Sequence, residues 1–271
     1  MAITTLDGVL AGAQQPRRAF KATVANAVAG RPLSFWAGGG APGAGSFDST
    51  LNGVTLSSTS SAVNGQIPFT DPVSGNTYLS RFSAVVGGLG GQLILVDRLW
   101  HNGGFNITST SAQSITSPTF PARDINGATN GDGVFLAMEI SSATGAGTPL
   151  ISVSYTNQSG TSGRTATNID ATAASSVAGS FYRIGLQAGD TGVGSVQSVT
   201  LSATWTSGTM NLVAYRPIAS LDIPAASTGA SIDALTSGMP RLYNGSVPFL
   251  IQVPSAAAAG YVEALIAYTQ G

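Results

Sequence analysis

Short stretches of the chain alternate hydrophobic with polar residues, and Gly, Pro, Ser and Asn interrupt them. A period of two places successive side chains on opposite faces of a strand. The unit at 132–165 shows this best. Val134, Leu136, Met138 and Ile140 alternate with Phe135, Ala137 and Glu139, so this strand starts buried on both faces. Gly145, Gly147 and Pro149 then let the backbone turn within 141–149. Beyond them Ile151, Val153 and Tyr155 point one way and Ser152, Ser154 and Thr156 the other, giving one face to a core and the other to water or a partner. The two runs predict a paired-strand unit, and 157–163 (NQSGTSG) turns the chain again.

The same reading extends along the chain. The run 93–96 (LILV) suits a buried central strand. Tyr182, Ile184 and Leu186 alternate with polar neighbours, and 188–194 is a Gly-rich connection. Val199, Leu201, Ala203 and Trp205 give the strongest strand pattern, with Trp205 in the core. Ser207 and Gly208 form a two-residue hairpin loop into 210–215, and Pro217 ends that strand. Further strands are expected at 107–115, 249–253 and 261–268, where Glu263 breaks an otherwise alanine-rich helical pattern. The segments 46–80, 118–132 and 221–240 read as loops, the first with one or two short strands. Near the start, Ala19/Phe20, Thr23/Val24 and Ala27/Val28 recur at four-residue spacing, which fits a helix over 16–29 stopped by Gly30 and Pro32. The β-branched Thr23, Val24 and Val28 fit an extended arm equally well. A flexible loop, 38–45 (GGGAPGAG), follows Trp36. No fixed-period repeat occurs, which disfavours propellers and solenoids. The fold class expected is all-β: an antiparallel β-sandwich or jelly roll with an N-terminal extended or partly helical arm. The arm occupies 1–46 with its Gly-rich linker and the body 47–271, a further division near 220 remaining open.

Charge changes this picture more than any motif does. Charged residues make up 8% of the 271, against about a quarter in an average soluble protein. A chain so poor in charge is expected to cover much of its surface with other subunits; the alternative is a Ser/Thr-rich soluble β-protein. The net charge of -1 sets up no global field toward nucleic acid or membrane. Four of the basic residues, Arg17, Arg18, Lys21 and Arg31, fall in the arm, opposed there by Asp7 alone. They are candidates for anchoring it to an acidic protein surface or to packaged nucleic acid, a solvated basic segment being the alternative; direct contact with nucleic acid is not expected from the chain as a whole. The first 18 residues lack the pattern of a secretory signal, and no apolar run is long enough for a membrane helix.

Candidate chemistry is sparse. The absence of cysteine removes disulfides and thiolate sites, and there is one histidine, one lysine and two glutamates. His101 lies in 97–104 (DRLWHNGG), the densest polar and aromatic cluster, and no G-x-S-x-G elbow accompanies it. Trp100 and His101 are therefore read as an interface cluster, and no catalytic residue is expected. Gly38, Gly40 and Gly43 match G-x-G-x-x-G only formally, because no strand-loop-helix unit surrounds them. Asp124, Asn126, Asn130 and Asp132 bring oxygens into one loop, but their spacing is not that of an EF-hand and a turn cluster is the expectation. Neither a metal nor a cofactor is implied. Asn106, Asn157 and Asn244 begin N-x-S/T triplets, as chance allows in a Ser/Thr-rich chain.

Three segments carry a resemblance. AGRPLSFWAGGGAPGAG (29–45), LILVDRLWHNGGF (93–105) and NGDGVFLAMEISSATGAGTPLISVSYTNQSGTSGR (130–164) resemble segments of structural proteins from tailed bacteriophages. The likeness spans about 14–216. It implies a component of the virion head, assembled in the host cytoplasm: a capsid decoration or cement protein that binds and stabilises the shell. Its implied partners are the major capsid protein or other virion proteins. A homo-oligomer is expected, a trimer if it sits on a three-fold position of the lattice. The family offers no catalytic motif to carry over, so a non-enzymatic protein is expected. The competing expectation is a receptor- or glycan-binding module of a tail or head fibre.

Overall fold

The computed structural model describes residues 3–23, 25–59, 64–88 and 90–271. Among them, Leu6–Ala11 forms a short helix, α1, and the strands are β1 (Arg17–Ala22), β2 (Leu33–Ser34), β3 (Gly40–Ala41), β4 (Val54–Thr55), β5 (Thr77–Gly87), β6 (Gly91–His101), β7 (Gln113–Ser114), β8 (Phe135–Ser142), β9 (Ile151–Asn157), β10 (Arg164–Asn168), β11 (Phe181–Gly185), β12 (Val193–Leu201), β13 (Thr209–Ile223), β14 (Gly229–Asp233), β15 (Arg241–Leu242), β16 (Pro248–Pro254) and β17 (Tyr261–Gln270). The smaller sheet has the order β14-β5-β17-β1-β3, with β15 also on β5. The larger has the order β2-β16-β6-β13-β8-β11-β10-β9-β12-β7, with β4 also on β6. Pairing is antiparallel, and the fold is all-β, a β-sandwich of jelly-roll character.

Alternation decides where each core lies. Leu79, Phe82 and Val86 of β5 and Val262 and Ile266 of β17 turn inward onto Leu93 and Leu95 of β6 and Leu221 and Ile223 of β13, which packs the two sheets face to face. A second core fills the far part of the larger sheet, where Ile151, Val153 and Tyr155 of β9 meet Val196 and Val199 of β12, Leu212 of β13 and Trp205. The third sits inside a ring. β2 pairs with β16 through Ser34 and Ile251, and on its other side Ser34 N donates to Gly179 O while Phe181 N donates to Pro32 O. The strands β2-β16-β6-β13-β8-β11 therefore close on themselves, with Trp36, Val96, Ala137, Phe181, Val213 and Phe249 inside.

Several expectations need correction. The runs at 134–140 and 151–156 form strands but do not pair with each other, because β11 and β10 lie between them. The loop at 143–150 is thus a crossover. Likewise 207–208 is no hairpin: β12 ends at Leu201 and pairs with β9 and β7, whereas β13 pairs with β8 and β6. Pro217 does not stop β13. Past Tyr215 the strand leaves β8 and keeps only β6, and a residue without an N–H is tolerated beside an open edge. Only Gln113–Ser114 of the 107–115 candidate is a strand, and part of 221–240 is β14, hydrogen-bonded to β5. Residues 17–22 of the 16–29 segment are extended, with Ala19 and Lys21 turned inward; the Val24 position in that reading lies outside the described residues. The Gly-rich 38–45 stretch is folded against the body. A Cβ on Gly45 would overlap the Trp36 indole, whose Nε1 donates to Ser46 O.

Candidate functional site

The basic residues near the start do not form one patch. Arg18 is exposed and pairs with Glu263 at 2.9 Å across the β1–β17 ladder. Arg17 donates to Thr70 Oγ1 at 3.5 Å, and the Arg31 guanidinium lies 5.8 Å from the Tyr182 ring centre. Lys21 is buried. Its ammonium donates to Gly43 O at 2.8 Å, Pro42 O at 3.3 Å and Trp36 O at 3.4 Å, so it pins the Gly-rich loop, and burial pulls it down to about 8. What was expected as an anchoring set is divided between a surface pair, two rim contacts and an internal staple.

Trp100 and His101 are both interior. Trp100 packs on Phe120 at 5.8 Å and donates from Nε1 to Asn52 O, whereas His101 faces into the ring, edge-on to Trp36 at 6.2 Å. Residues 97–101 of the polar and aromatic cluster are the end of β6, and their charges are sealed from water. Arg98 pairs with Glu139 of β8 at 2.7 Å, both side chains fully buried, while its guanidinium lies 4.5 Å from the Trp36 ring centre and 5.4 Å from that of Phe249. His101 Nδ1 accepts from Arg98 Nε at 3.2 Å and lies 3.0 Å from Nη2. Burial and the adjacent Arg98 charge press the imidazole down to about 2. Asp97, on the opposite face, accepts from Val247 N and Ser246 Oγ and pairs with Arg123 at 3.1 Å. Arg216 stands 3.8 Å from the same carboxylate, and Arg123 also donates to the carbonyls of Leu56, Gly245 and Arg98.

These groups are committed to each other. With an ion pair, a guanidinium-bound imidazole and a carboxylate already accepting main-chain N–H bonds, the cluster fixes strand positions and cross-links β6, β8 and the loops over them. Sequence reading named His101 but missed the roles of Arg98, Glu139, Arg123 and Arg216. One signal was available: beyond the apolar run 93–96, Leu99 and Trp100 resume the apolar pattern, and neither Gly nor Pro falls before Gly103.

Elsewhere, most of the hydrogen bonds to the carboxylates at 124–132 come from nearby main chain and side chains, while Asp124 Oδ2 is buried with no hydrogen-bond donor among the described residues. Asp124 Oδ1 accepts from the N–H groups of Asn126 and Ala128, and Asp132 accepts from Asn126 Nδ2 and Thr191 Oγ1. Among the described residues, no group of three or more His, Cys, Asp or Glu is placed to hold a metal ion, and no helix is long and apolar enough to cross a membrane. The ring is open at one end, where Ile94, Phe135, Ile169, Phe181, Tyr215 and Ile251 line a depression of about 730 Å³. A shallower one, about 540 Å³, crosses the outer face of the smaller sheet over Ser83, Gly229 and Ser231, with Arg18 and Glu263 beside it.

The chain matches no protein-family model and no curated protein. Solved structures align with it loosely. The VP2 subviral particle of infectious bursal disease virus is 9% identical at a TM-score of 0.20, covering 100% of this chain and 83% of the other. The structure of the Gx strain of that virus is 7% identical at 0.20, covering 95% and 82%, and the T=1 particles derived from the virus are 10% identical at 0.17, covering 96% and 79%. At such scores these likenesses carry no argument about what the chain does.

Proposed function

We propose that this chain is a non-enzymatic structural subunit of a virus particle and, following the resemblance of 29–45, 93–105 and 130–164 to tailed-phage head proteins, a decoration or cement protein of the capsid shell. The distribution of charge is the observation that carries this reading. Of 23 charged residues, seven (Lys21, Asp97, Arg98, Arg123, Asp124, Glu139 and Arg216) are buried. The surface is therefore poorer in charge than the composition alone conveys, and it also exposes Leu6, Val73, Ile169 and Leu235. A protein that works alone relies on surface charge to stay dispersed, whereas one whose faces are covered by neighbouring subunits does not. The one histidine and the one lysine are both buried, which favours a structural role over an enzymatic one. The major capsid protein is the partner this reading implies, together with further copies of the chain.

Electron microscopy of the source particle carrying an epitope-labelled copy of the chain tests the proposal. An even lattice of label over the head is the expected result. Label confined to a tail tip or fibres would replace it with receptor or glycan binding, and particles without label would overturn both.

A further inference from the structure

Among the described residues, two apolar surfaces stand uncovered and lie too far apart to cover each other. The first is the mouth of the ring. β8 begins at Phe135, opposite Tyr215 of β13, and ahead of it the chain turns off, Val134 N donating to Gly131 O and Val193 N to Val134 O. Its two neighbours run on without it. β13 reaches Ile223, paired with β6 alone past Tyr215, and β11 reaches Gly185, paired there with β10. One stave of the ring is thus missing at this end. The gap it leaves spans two strand spacings, roughly 9.5 Å, and gives onto the depression of about 730 Å³ whose lining includes Ile169, 64% exposed. Arg183 and Asp190 bring charge to this lining, but each is already paired, with Asp170 at 2.6 Å and with Arg164 at 2.9 Å. The mouth therefore suits an uncharged, apolar guest.

The second surface is on α1. Its six residues bury none of their side chains, and Leu6 and Leu10, four apart and so on one face, are 64% and 67% exposed. So short a helix is marginal by itself. Here it is tied to the end of β17, where Thr269 Oγ1 donates to Val9 O and Gln270 N to Gly12 O. The mouth lies toward the other end of that strand: Tyr261, where β17 begins, stands opposite Gly87, and Gly91, four residues on, opens β6, whose Gln92 and Ile94 line the depression. The ten residues of β17, at about 3.3 Å each, put roughly 30 Å between helix and mouth. A chain cannot fill its own mouth with its own helix.

We propose that the Leu6 and Leu10 face of α1 seats in the ring mouth of a second copy, linking subunits head to tail. The two leucines stand about 6 Å apart along the helix, within the width of the gap. Burying them there removes both uncovered surfaces from water at once and leaves no charge unpaired. Such a contact is heterologous, so repeated about an axis it closes into a ring of copies when the rotation returns to its start. It rests on the reading of this chain as a subunit that works beside copies of itself, and supplies the contact between them.

The chain has no cysteine, so introduced thiols report their own neighbours. Purified Leu10→Cys and Ile169→Cys, mixed at micromolar concentration and treated with a short bis-maleimide, should give a cross-link joining position 10 of one copy to position 169 of another. Leu10→Cys mixed with Leu235→Cys should give none above background, although Leu235 is the more exposed target. All three positions face solvent, so the variants keep the fold. Leu6→Ser combined with Leu10→Ser should lower the mass seen by light scattering to that of one chain and leave the circular dichroism unchanged. Equal cross-linking to 169 and 235, or an unchanged mass in the double serine variant, would overturn the proposal. Either failure, with label still spread evenly over the particle head, would strike the head-to-tail contact alone and leave the structural role standing.

Discussion

A buried ion pair is most costly when half of it is removed. Arg98 and Glu139 are both sealed, so Arg98→Met or Glu139→Leu leaves an uncompensated charge in the ring and should lower the unfolding free energy by about 3–5 kcal/mol. The double variant should recover most of that loss, because Met and Leu can pack among Trp36, Val213 and Phe249. Urea unfolding of the four proteins at pH 7 measures the coupling; strictly additive losses would mean that the pair contributes no interaction of its own. The pair could not be read from the chain. Glu139 appears in the sequence as one polar step in an alternating strand, and only the placement of β6 and β8 on either side of β13 brings it to Arg98. Charges in 97–104 suggest an exposed cluster because charge normally marks water, and this fold breaks that rule by supplying partners from strands distant in sequence.

Elements were easier to read than their neighbours. Ile151–Asn157 was legible because one face meets a core and the other does not, and its burial alternates residue by residue. Tyr261–Gln270 was legible for the same reason. The partners of these strands were not, since a period of two fixes which side chains share a face but leaves the pairing order to contacts across the sheet. Thr77–Gly87 escaped because Ser and Arg interrupt its apolar positions and Gly87 reads as a turn. β1 illustrates what pairing adds: it lies between β17 and β3, registered from Arg17 opposite Ile266 to Ala22 opposite Tyr261. Deleting residues 1–22 should bare one edge of β17 and the core around Val262 and Ile266, giving a chain that aggregates and melts without a cooperative transition. Thermal melts followed by circular dichroism check this, and a cooperative melt would show β1 to be dispensable.

At the scale of the molecule the deciding quantity is how little charge faces outward. With a net charge of -1 and seven charged residues withdrawn into the interior, copies of the chain repel each other weakly. A closed homo-oligomer is expected at micromolar concentration, and raising salt from low to near-molar should leave its mass unchanged, because screening acts on charges this surface scarcely has. Light scattering at the two salt concentrations measures both: a monomer would refute the association, and an oligomer that salt dissolves would refute an apolar, hydrogen-bonded interface. The burial of Lys21 has a chemical corollary. It is the chain's one lysine, and its nitrogen is enclosed by three carbonyl oxygens. An acylating reagent therefore meets no side-chain amine on the folded protein, and a label found at that position records a molecule whose Gly-rich loop had come away.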